Sequence, residues 1–233
     1  MSNPVFLHPD LSADLLVLDG PEGRHAAVVR RLRVGEVVDL VDGRGGRVTG
    51  PLVTVAKDSV TMAVSSRTAE APVSPRITLV QALAKGDRGE LAVELATEVG
   101  VDVIVPWAAA RCMVKWDGER GVKALERWRS TAREAAKQSR RAWFPAVSEL
   151  AATPDVAALP GQLLVLHELA TVPLSSVELT GDVVLVVGPE GGIGTDELAA
   201  LGGTAVRLGG SVLRTSTAGA AAAAVVSART GRW

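Results

Sequence analysis

The residues with the clearest chemical potential form a glycine-rich stretch directly after an apolar run. Residues 183–187 are all valine or leucine, which is typical of a strand buried on both faces of a parallel sheet. A glycine-rich loop at the end of such a strand exposes backbone N–H groups at the edge where α/β proteins bind ligands. The sequence predicts a ligand-binding loop here, with an ordinary tight turn as the alternative. The loop residues are Gly188, Pro189, Glu190, Gly191 and Gly192.

A second loop repeats this arrangement further along the chain. The predicted strand at residues 205–208 is followed by Gly209, by Leu213 and Arg214, and then by a helix containing the alanine run 220–224. An apolar slot lined by glycine suits an adenine and a thioether chain, which need backbone hydrogen bonds and van der Waals contact more than charge. The alternatives are a surface role for Arg214 and simple close packing for the alanine-rich helix.

Two familiar nucleotide motifs are excluded at these loops. No Gly-Lys-Ser/Thr sequence of a P-loop follows the glycines, and their spacing does not fit the G-x-G-x-x-G pattern of dinucleotide-binding proteins. Thr195 is predicted to cap the N-terminus of a short helix after the first loop. The loops therefore indicate a ligand that is bound in another way.

A third feature is a concentration of positive charge in residues 111–143. This segment holds ten lysines and arginines against four acidic residues, a local net charge of +6 in a chain whose net charge is −1. If residues 125–141 form a helix, Arg129, Arg133 and Lys137 share one face at i+4 spacing, and this face matches a phosphate backbone. Trp116, Trp128 and Trp143 could stack on unpaired bases. The alternative is a solvated helix with its tryptophans in the core.

A smaller basic cluster lies near the N-terminus, with no acidic residue between positions 23 and 35: Arg24, His25, Arg30, Arg31 and Arg33. It is a candidate for a second RNA contact. Three histidines and one cysteine at unrelated spacings predict no metal site. Without a G-x-S-x-G nucleophile elbow, a Ser-His-Asp triad is not indicated either.

The elements that must position these residues fall into two predicted domains. Residues 1–71 show short β-like runs between glycine-rich turns, and the prolines at 72 and 75 indicate a linker. Residues 76–233 alternate strands with helices, which predicts an α/β domain with a mainly parallel sheet. In the predicted helix 88–99, Leu91, Leu95 and Val99 are expected to form the apolar stripe, opposite the glutamates.

Composition restricts the setting in which the protein works. A single cysteine, Cys112, excludes a disulfide framework and fits a reducing compartment. No segment reaches the roughly 18 apolar residues that a membrane helix needs, and the N-terminus lacks the pattern of a signal peptide. We therefore predict a cytoplasmic protein that has no membrane partner and no metal.

On these loops the chain resembles the family of 16S ribosomal RNA uridine N3-methyltransferases, of the SPOUT class. The resemblance covers nearly the whole chain. It implies an N-terminal PUA-like β-barrel domain and a C-terminal trefoil-knotted SPOUT α/β domain with a mainly parallel sheet. It also implies S-adenosylmethionine as cofactor, 16S rRNA or the small ribosomal subunit as partner, and a homodimer. The motifs that carry it lie at residues 85–88, 96–101, 134–139, 187–192 and 213–218.

Two positions depart from the pattern of this family. Ser216 stands where relatives commonly have a glutamate, so a catalytic role for that glutamate is not carried over. Lys137 stands where relatives often have an acidic residue. An RNA-binding module without methyl transfer is therefore one alternative to the enzyme, and a nucleotide-binding regulator unrelated to RNA is another.

The resemblance also implies a set of site residues. Arg214 is the candidate for stabilising negative charge that develops on the target base, and Glu190 is the nearest candidate proton acceptor. The cofactor slot is expected to be lined by Leu166, His167, Gly188, Pro189, Glu190, Gly191, Gly192, Leu208, Gly209, Leu213, Arg214 and Ala218. Contacts to RNA are expected from Arg24, Arg30, Arg31, Arg129, Arg133, Lys137, Gln138 and Arg141.

Overall fold

The computed structural model describes residues 3–233, which cluster into two compact units. Unit 1 joins Met1–Pro72 to Ala136–Phe144, and unit 2 joins Val73–Ala135 to Pro145–Trp233. The segment Ala136–Phe144 belongs to the first unit although it follows the second unit's opening elements in sequence. The sequence-based division into residues 1–71 and 76–233 had included this segment in its second domain.

Unit 1 is built mainly from β-strands. One six-stranded sheet has the order β1-β3-β4-β5-β2, with β6 paired to β4. Strands β1 and β3 are parallel, and the other pairs are antiparallel. A short π-helical turn, His25–Val29, continues directly from α1. The elements are β1 Val5–Leu7, β2 Leu15–Leu18, α1 Gly20–Arg24, β3 Val37–Val41, β4 Gly46–Val55, β5 Val60–Ala63 and β6 Ser66–Ala69.

The long strand β4 makes this sheet curl. Its first half pairs with β3 and β6, its second half pairs with β5, and the register shifts between Leu52 and Thr54. A bulge of this kind bends the strand and increases its twist. Gly50 lies two residues before this irregularity, and a Cβ atom on it would be 1.8 Å from the carbonyl oxygen of Ala63. Only glycine allows the backbone to approach so closely.

Unit 2 contains a sheet of six parallel strands in the order β12-β10-β11-β7-β8-β9. Strand β11 is buried along its whole length, which confirms the prediction from its continuous valine and leucine run. A 3-10 turn at Leu174–Ser176 follows β10. The elements are β7 Ile77–Ala82, α2 Arg88–Glu98, β8 Val103–Trp107, α3 Gly118–Gln138, β9 Ala146–Val147, α4 Thr153–Ala157, β10 Gln162–Leu166, β11 Val183–Val187, α5 Thr195–Leu201, β12 Thr204–Val206 and α6 Thr215–Arg229.

Two sequence-based expectations about helices in unit 2 are wrong. Helix α2 buries its face of small residues, Ala92, Val93, Ala96 and Thr97, whereas Leu91 is 41% exposed. The reason is the neighbour: α2 packs beside the alanine-rich α6, and small side chains let two helices approach closely. Thr195 does not cap α5 either. Gly194 is the N-cap residue, and Thr195 is the first residue of the helix.

The final helix α6 packs inside the core of unit 2. Ala222 and Ala223 are fully buried, and a Cβ atom on Gly219 would lie 2.8 Å from a methyl group of Leu79. Close packing is therefore one function of the alanine-rich helix. Beyond its end, Arg232 donates a hydrogen bond of 2.8 Å to Asp102. Across residues 3–233, no helix has both the length and the apolar character required to cross a membrane.

A buried ion pair attaches the last turn of α3 to the rest of unit 1. The Nζ atom of Lys137 lies 2.6 Å from Oε1 of Glu22, and the Lys137 side chain is only 4% exposed. The other carboxylate oxygen of Glu22 accepts a hydrogen bond of 3.1 Å from the backbone N–H of Leu7. One carboxylate therefore contacts both the edge strand β1 and the C-terminal turn of α3.

We expect Glu22→Gln to lower the free energy of unfolding by about 3 kcal/mol, because it removes the counter-charge of a buried ammonium group. Urea denaturation measures this. The matched control is Asp14→Asn, which breaks the pair between Arg67 and an Asp14 side chain that is 97% exposed. Since exposed pairs contribute little, the control should unfold like the wild type. Equal loss of stability in both variants would contradict the assignment.

Candidate functional site

Three loops leave the same edge of the parallel sheet in unit 2. Leu166, the last residue of β10, lies in register with Val187 at the end of β11 and with Val206 at the end of β12. The backbone N–H of His167 extends this pairing with a 2.9 Å hydrogen bond to the carbonyl oxygen of Val206. The loops that the sequence proposed as one ligand slot thus follow three adjacent strands. The ends of β10, β11 and β12 converge at one site.

The glycines of the loop after β11 are required by close packing. A Cβ atom on Gly188 would lie 2.7 Å from Cγ1 of Ile193, and one on Gly191 would lie 3.2 Å from Cβ of Arg111. Gly192 adopts a φ of 70° and donates a 2.9 Å hydrogen bond to the carbonyl oxygen of Pro189. The segment is therefore a tight turn whose backbone is open on its solvent side.

Arg111 is a component of this site that the sequence analysis placed only in the general basic segment. It follows the end of β8, and its Nη1 atom donates a 3.2 Å hydrogen bond to the carbonyl oxygen of Gly191. The buried carboxylate of Glu197 supports this turn by accepting a 2.8 Å hydrogen bond from the backbone N–H of Ala110. The position of Arg111 after a parallel strand was the available signal, because such strands end at the same edge.

The hydroxyl group of Thr215 connects three parts of the site. It donates a 2.9 Å hydrogen bond to the carbonyl oxygen of Gly188 and accepts a 3.0 Å hydrogen bond from Nε2 of the fully buried Gln81. Gln81 belongs to β7, Gly188 follows β11, and Thr215 begins α6. Because a buried hydrogen bond has little competition from water, this network holds the start of α6 against the loop after β11.

Glu190 contacts the loop that follows β7. Its Oε1 atom lies 3.4 Å from the backbone nitrogen of Lys85 and 3.4 Å from Nη1 of Arg88. Both contacts are long, and the carboxylate side chain is 24% exposed. Glu190 therefore joins the loops after β7 and β11. Whether it also accepts a proton stays a prediction.

Two other kinds of chemistry find no support at this site. Burial raises the pKa of the half-buried Cys112 thiol, so the protonated form is favoured and a thiolate nucleophile is not. Within residues 3–233, no three histidine, cysteine, aspartate or glutamate side chains come together as a metal-binding cluster.

The basic segment only partly forms the surface that its charge pattern predicted. Arg133 and Gln138 are exposed on α3, but Lys137 is buried against Glu22. The prediction of Lys137 as a surface phosphate contact is therefore wrong, because a carboxylate of unit 1 already neutralises it. Arg129 contacts Glu126 at 2.7 Å and Glu149 at 2.6 Å.

These two hydrogen bonds raise the pKa of the Arg129 guanidinium, Glu126 contributing most. They also occupy the donors that would contact phosphate, so Arg129 is a weaker candidate than Arg133. Among the tryptophans, Trp128 is 2% exposed and packs edge-to-face on Trp116 at 5.0 Å. Trp128 therefore follows the alternative interpretation, a tryptophan in the core, and is not exposed for stacking on bases.

Comparison with known proteins identifies the family. A family model described as an RNA methyltransferase domain matches residues 70–227, and one described as an RNA methyltransferase PUA domain matches residues 18–64. A relative from Mycobacterium tuberculosis, "Ribosomal RNA small subunit methyltransferase E", is 47% identical, over 97% of this chain and 90% of that protein. The chain belongs to this RNA methyltransferase family.

Solved structures in the family share the fold over almost the whole chain. A protein from Legionella pneumophila, described as a methyltransferase with the bound cofactor SAM, has a TM-score of 0.89, 29% identity and 98% coverage of both chains. Ribosomal RNA small subunit methyltransferase E from Neisseria gonorrhoeae, bound to S-adenosyl methionine, has a TM-score of 0.87, 28% identity and 98% coverage of both chains. The resemblance stated from the motifs is therefore confirmed at the level of the family.

We expect Thr215→Val to lower the free energy of unfolding by about 1–3 kcal/mol, because it leaves buried polar groups of Gln81 and Gly188 with one partner fewer. Thr217→Val is the matched control. The Thr217 hydroxyl, two residues along the same helix turn, bonds only to the carbonyl oxygen of Arg214 in an exposed position. Thermal and urea unfolding compare the two variants. Equal stabilities would mean that the Thr215 network does not hold the site together.

Proposed function

We propose that this protein transfers a methyl group from S-adenosylmethionine to N3 of a uridine in the RNA of the small ribosomal subunit. The observation that carries the proposal is the convergence of three loops at the ends of β10, β11 and β12. Similarity to relatives whose names specify ribosomal RNA methylation supports the enzyme over an RNA-binding module without activity. A cytoplasmic location is part of the proposal, since the single cysteine needs no oxidising compartment.

The strand-end loops fit the proposed cofactor by their shape and their donors. Gly188 and Gly191 let the loop pack against Ile193 and Arg111, while the backbone at Gly191 and Gly192 is exposed. We assign the apolar wall of the slot to Leu208 and Ala218, which pack with the core of unit 2. Such a slot suits an adenine and a thioether chain, which bind through backbone hydrogen bonds and dispersion contacts. The remaining residues assigned to the slot are Leu166, His167, Pro189, Glu190, Gly192, Gly209, Leu213 and Arg214.

When bound, the cofactor supplies an electrophilic methyl group. The protein must do the rest: hold the uridine, exclude water and accommodate the charge left when N3 loses its proton. Arg214 is suited to this last role. Its backbone carbonyl is used by the helix, accepting hydrogen bonds from Thr217 and Ala218, while its side chain is exposed. A guanidinium group aimed at the uracil oxygens would stabilise the charge that develops in the transition state.

Ser216 makes Arg214 more important in this chain. The serine is buried, with 3% of its surface exposed, and it carries no charge that could help to remove the proton at N3. Glu190 is the acidic candidate that the sequence analysis named at these loops, and its carboxylate lies 3.4 Å from Nη1 of Arg88. We assign proton acceptance to Glu190 and charge stabilisation to Arg214.

The proposal includes a finer description of each unit. We assign the curled sheet of unit 1 to a PUA-like barrel for RNA, and the parallel sheet of unit 2 to a trefoil-knotted SPOUT domain. The match of residues 18–64 to a PUA family model supports the first assignment. RNA contacts are assigned to exposed or partly exposed side chains of both basic clusters, namely Arg24, Arg30, Arg31, Arg133, Gln138 and Arg141.

We also propose that the protein is a homodimer. One face of α6 is buried within the chain, but Ala220, Ala221, Ala224 and Val225 are only partly buried. Leu91 on the neighbouring helix α2 is exposed. Small apolar residues on adjacent helices form a surface on which a second copy can pack closely.

The first test is cofactor binding and transfer. We expect titration calorimetry to detect S-adenosylmethionine binding in the presence of a chelator, and mass spectrometry of rRNA nucleosides to detect 3-methyluridine. Arg214→Ala should lower kcat by about 100-fold, as loss of one transition-state charge donor does. The control is Arg207→Ala, which removes an exposed arginine just after β12. The proposal fails if no heat appears at millimolar cofactor.

The second test is the oligomeric state. Light scattering should report a particle of twice the 24.1 kDa chain mass. Ala221→Arg together with Ala224→Arg should produce monomers, because two long charged side chains prevent close helix contact. A stable wild-type monomer that retains activity would refute the dimer.

A further inference from the structure

A small polar cavity lies in unit 1. Its volume is about 170 Å³, below the roughly 300 Å³ at which pockets for small organic molecules begin. Every lining residue belongs to unit 1, and most of the side chains are polar or basic. The lining residues are Asn3, Pro4, Val5, Phe6, His25, Arg30, Lys137, Gln138 and Arg140.

This cavity unites the two basic clusters that the sequence analysis treated separately. His25 begins the π-helical turn and Arg30 caps its end. Gln138 is the last residue of α3, and Arg140 lies two residues beyond it. The ion pair between Glu22 and Lys137, residues 115 positions apart in the chain, holds the two segments together. Since Glu22 neutralises Lys137, the excess positive charge at the cavity comes from Arg30 and Arg140.

Two arginines at or next to the cavity have a backbone conformation that is unusual for residues other than glycine. Among residues 3–233, the non-glycine residues with positive φ are Arg31, at 53°, and Arg140, at 58°. Each follows the end of a helical segment, where glycine is the usual residue. Arg140 donates its N–H to the carbonyl oxygen of Lys137 at 3.1 Å, and Arg141 bonds back to Ala136 at 2.9 Å.

An arginine at such a position is less stable than a glycine would be, because its Cβ atom crowds the backbone. The chain nevertheless places the arginine there and fixes it, since Nη2 of Arg47 donates a 2.9 Å hydrogen bond to the Arg140 carbonyl oxygen. Strain retained at a binding surface is a recognised sign of function. The strained turn directs us to the Arg140 side chain, which lines the cavity.

We propose that this cavity binds one phosphate group of the substrate RNA, held between Arg30 and Arg140. The inference rests on the proposed function and adds a specific contact to it. The size of the cavity suits a phosphate and its waters, and guanidinium groups bind phosphate through paired, charge-assisted hydrogen bonds. Both helical segments present their C-terminal ends here, where carbonyl groups carry partial negative charge. The arginines, not the helix dipoles, must therefore attract the anion.

The first experiment measures binding of 16S rRNA by Arg140→Gly. Glycine adopts positive φ without strain, so the melting temperature should not fall. Affinity should fall by about tenfold, the effect of one lost charge-assisted hydrogen bond. Arg30→Ala should have a similar effect. The matched control is Lys57→Ala, which removes an exposed positive charge of unit 1 outside the cavity and should bind like the wild type.

The second experiment measures the salt dependence of the double variant Arg30→Ala with Arg140→Gly. Because both side chains would hold one phosphate, the slope of log affinity against log salt should flatten by about 0.7 to 0.9, the value for a single contact. Twice that loss would mean two separate phosphates and would overturn the shared cavity. Affinity of Arg140→Gly equal to that of the wild type would overturn it as well.

Failure of the cavity and failure of the proposed function give different results. Cofactor binding and methylation are therefore measured in the wild type and in the control Lys57→Ala, both of which keep the cavity arginines. The proposed function fails if the wild-type protein neither binds the cofactor nor methylates rRNA. The cavity proposal fails on its own if the wild type does both and the variants bind rRNA equally well.

Discussion

The parallel pairing of β10, β11 and β12 is the constraint on which the functional edge of unit 2 depends. Leu166, Val187 and Val206 end these strands in register. The three loops that follow therefore begin side by side along the sheet. Because parallel strands all point the same way, every loop leaves at one edge and brings backbone donors together. A shift of one strand by one residue would reverse its buried side chains and move its loop.

Hydrogen bonds at this edge fix what the strands have brought together. The Thr215 hydroxyl joins the start of α6 to the carbonyl oxygen of Gly188 and to the side chain of Gln81. Arg111 covers Gly191 from the end of β8. Glycines at these positions leave room for the covering groups and keep the loop backbone accessible. The glycines therefore serve packing on one side of the loop and leave its backbone exposed on the other.

Unit 1 reaches its form through a different interaction. Its sheet curls at β4, and the ion pair of Glu22 with Lys137 attaches residues that lie far away in the chain. The end of α3 thereby becomes part of unit 1, and Arg140 adopts a positive φ beside it. The charge of Lys137, which the sequence pattern suggested for RNA, is used to hold the fold.

Local pattern was sufficient for the features that depend on neighbours in sequence. The valine and leucine run predicted the buried strand β11, the glycines predicted the loop after it, and the alternation of strands and helices predicted a parallel sheet. Ordered motifs indicated the family. Tertiary structure alone decided which face of α2 is buried and that Lys137 pairs with Glu22. Each of these depends on a partner from a distant part of the chain, and periodicity carries no information about such partners.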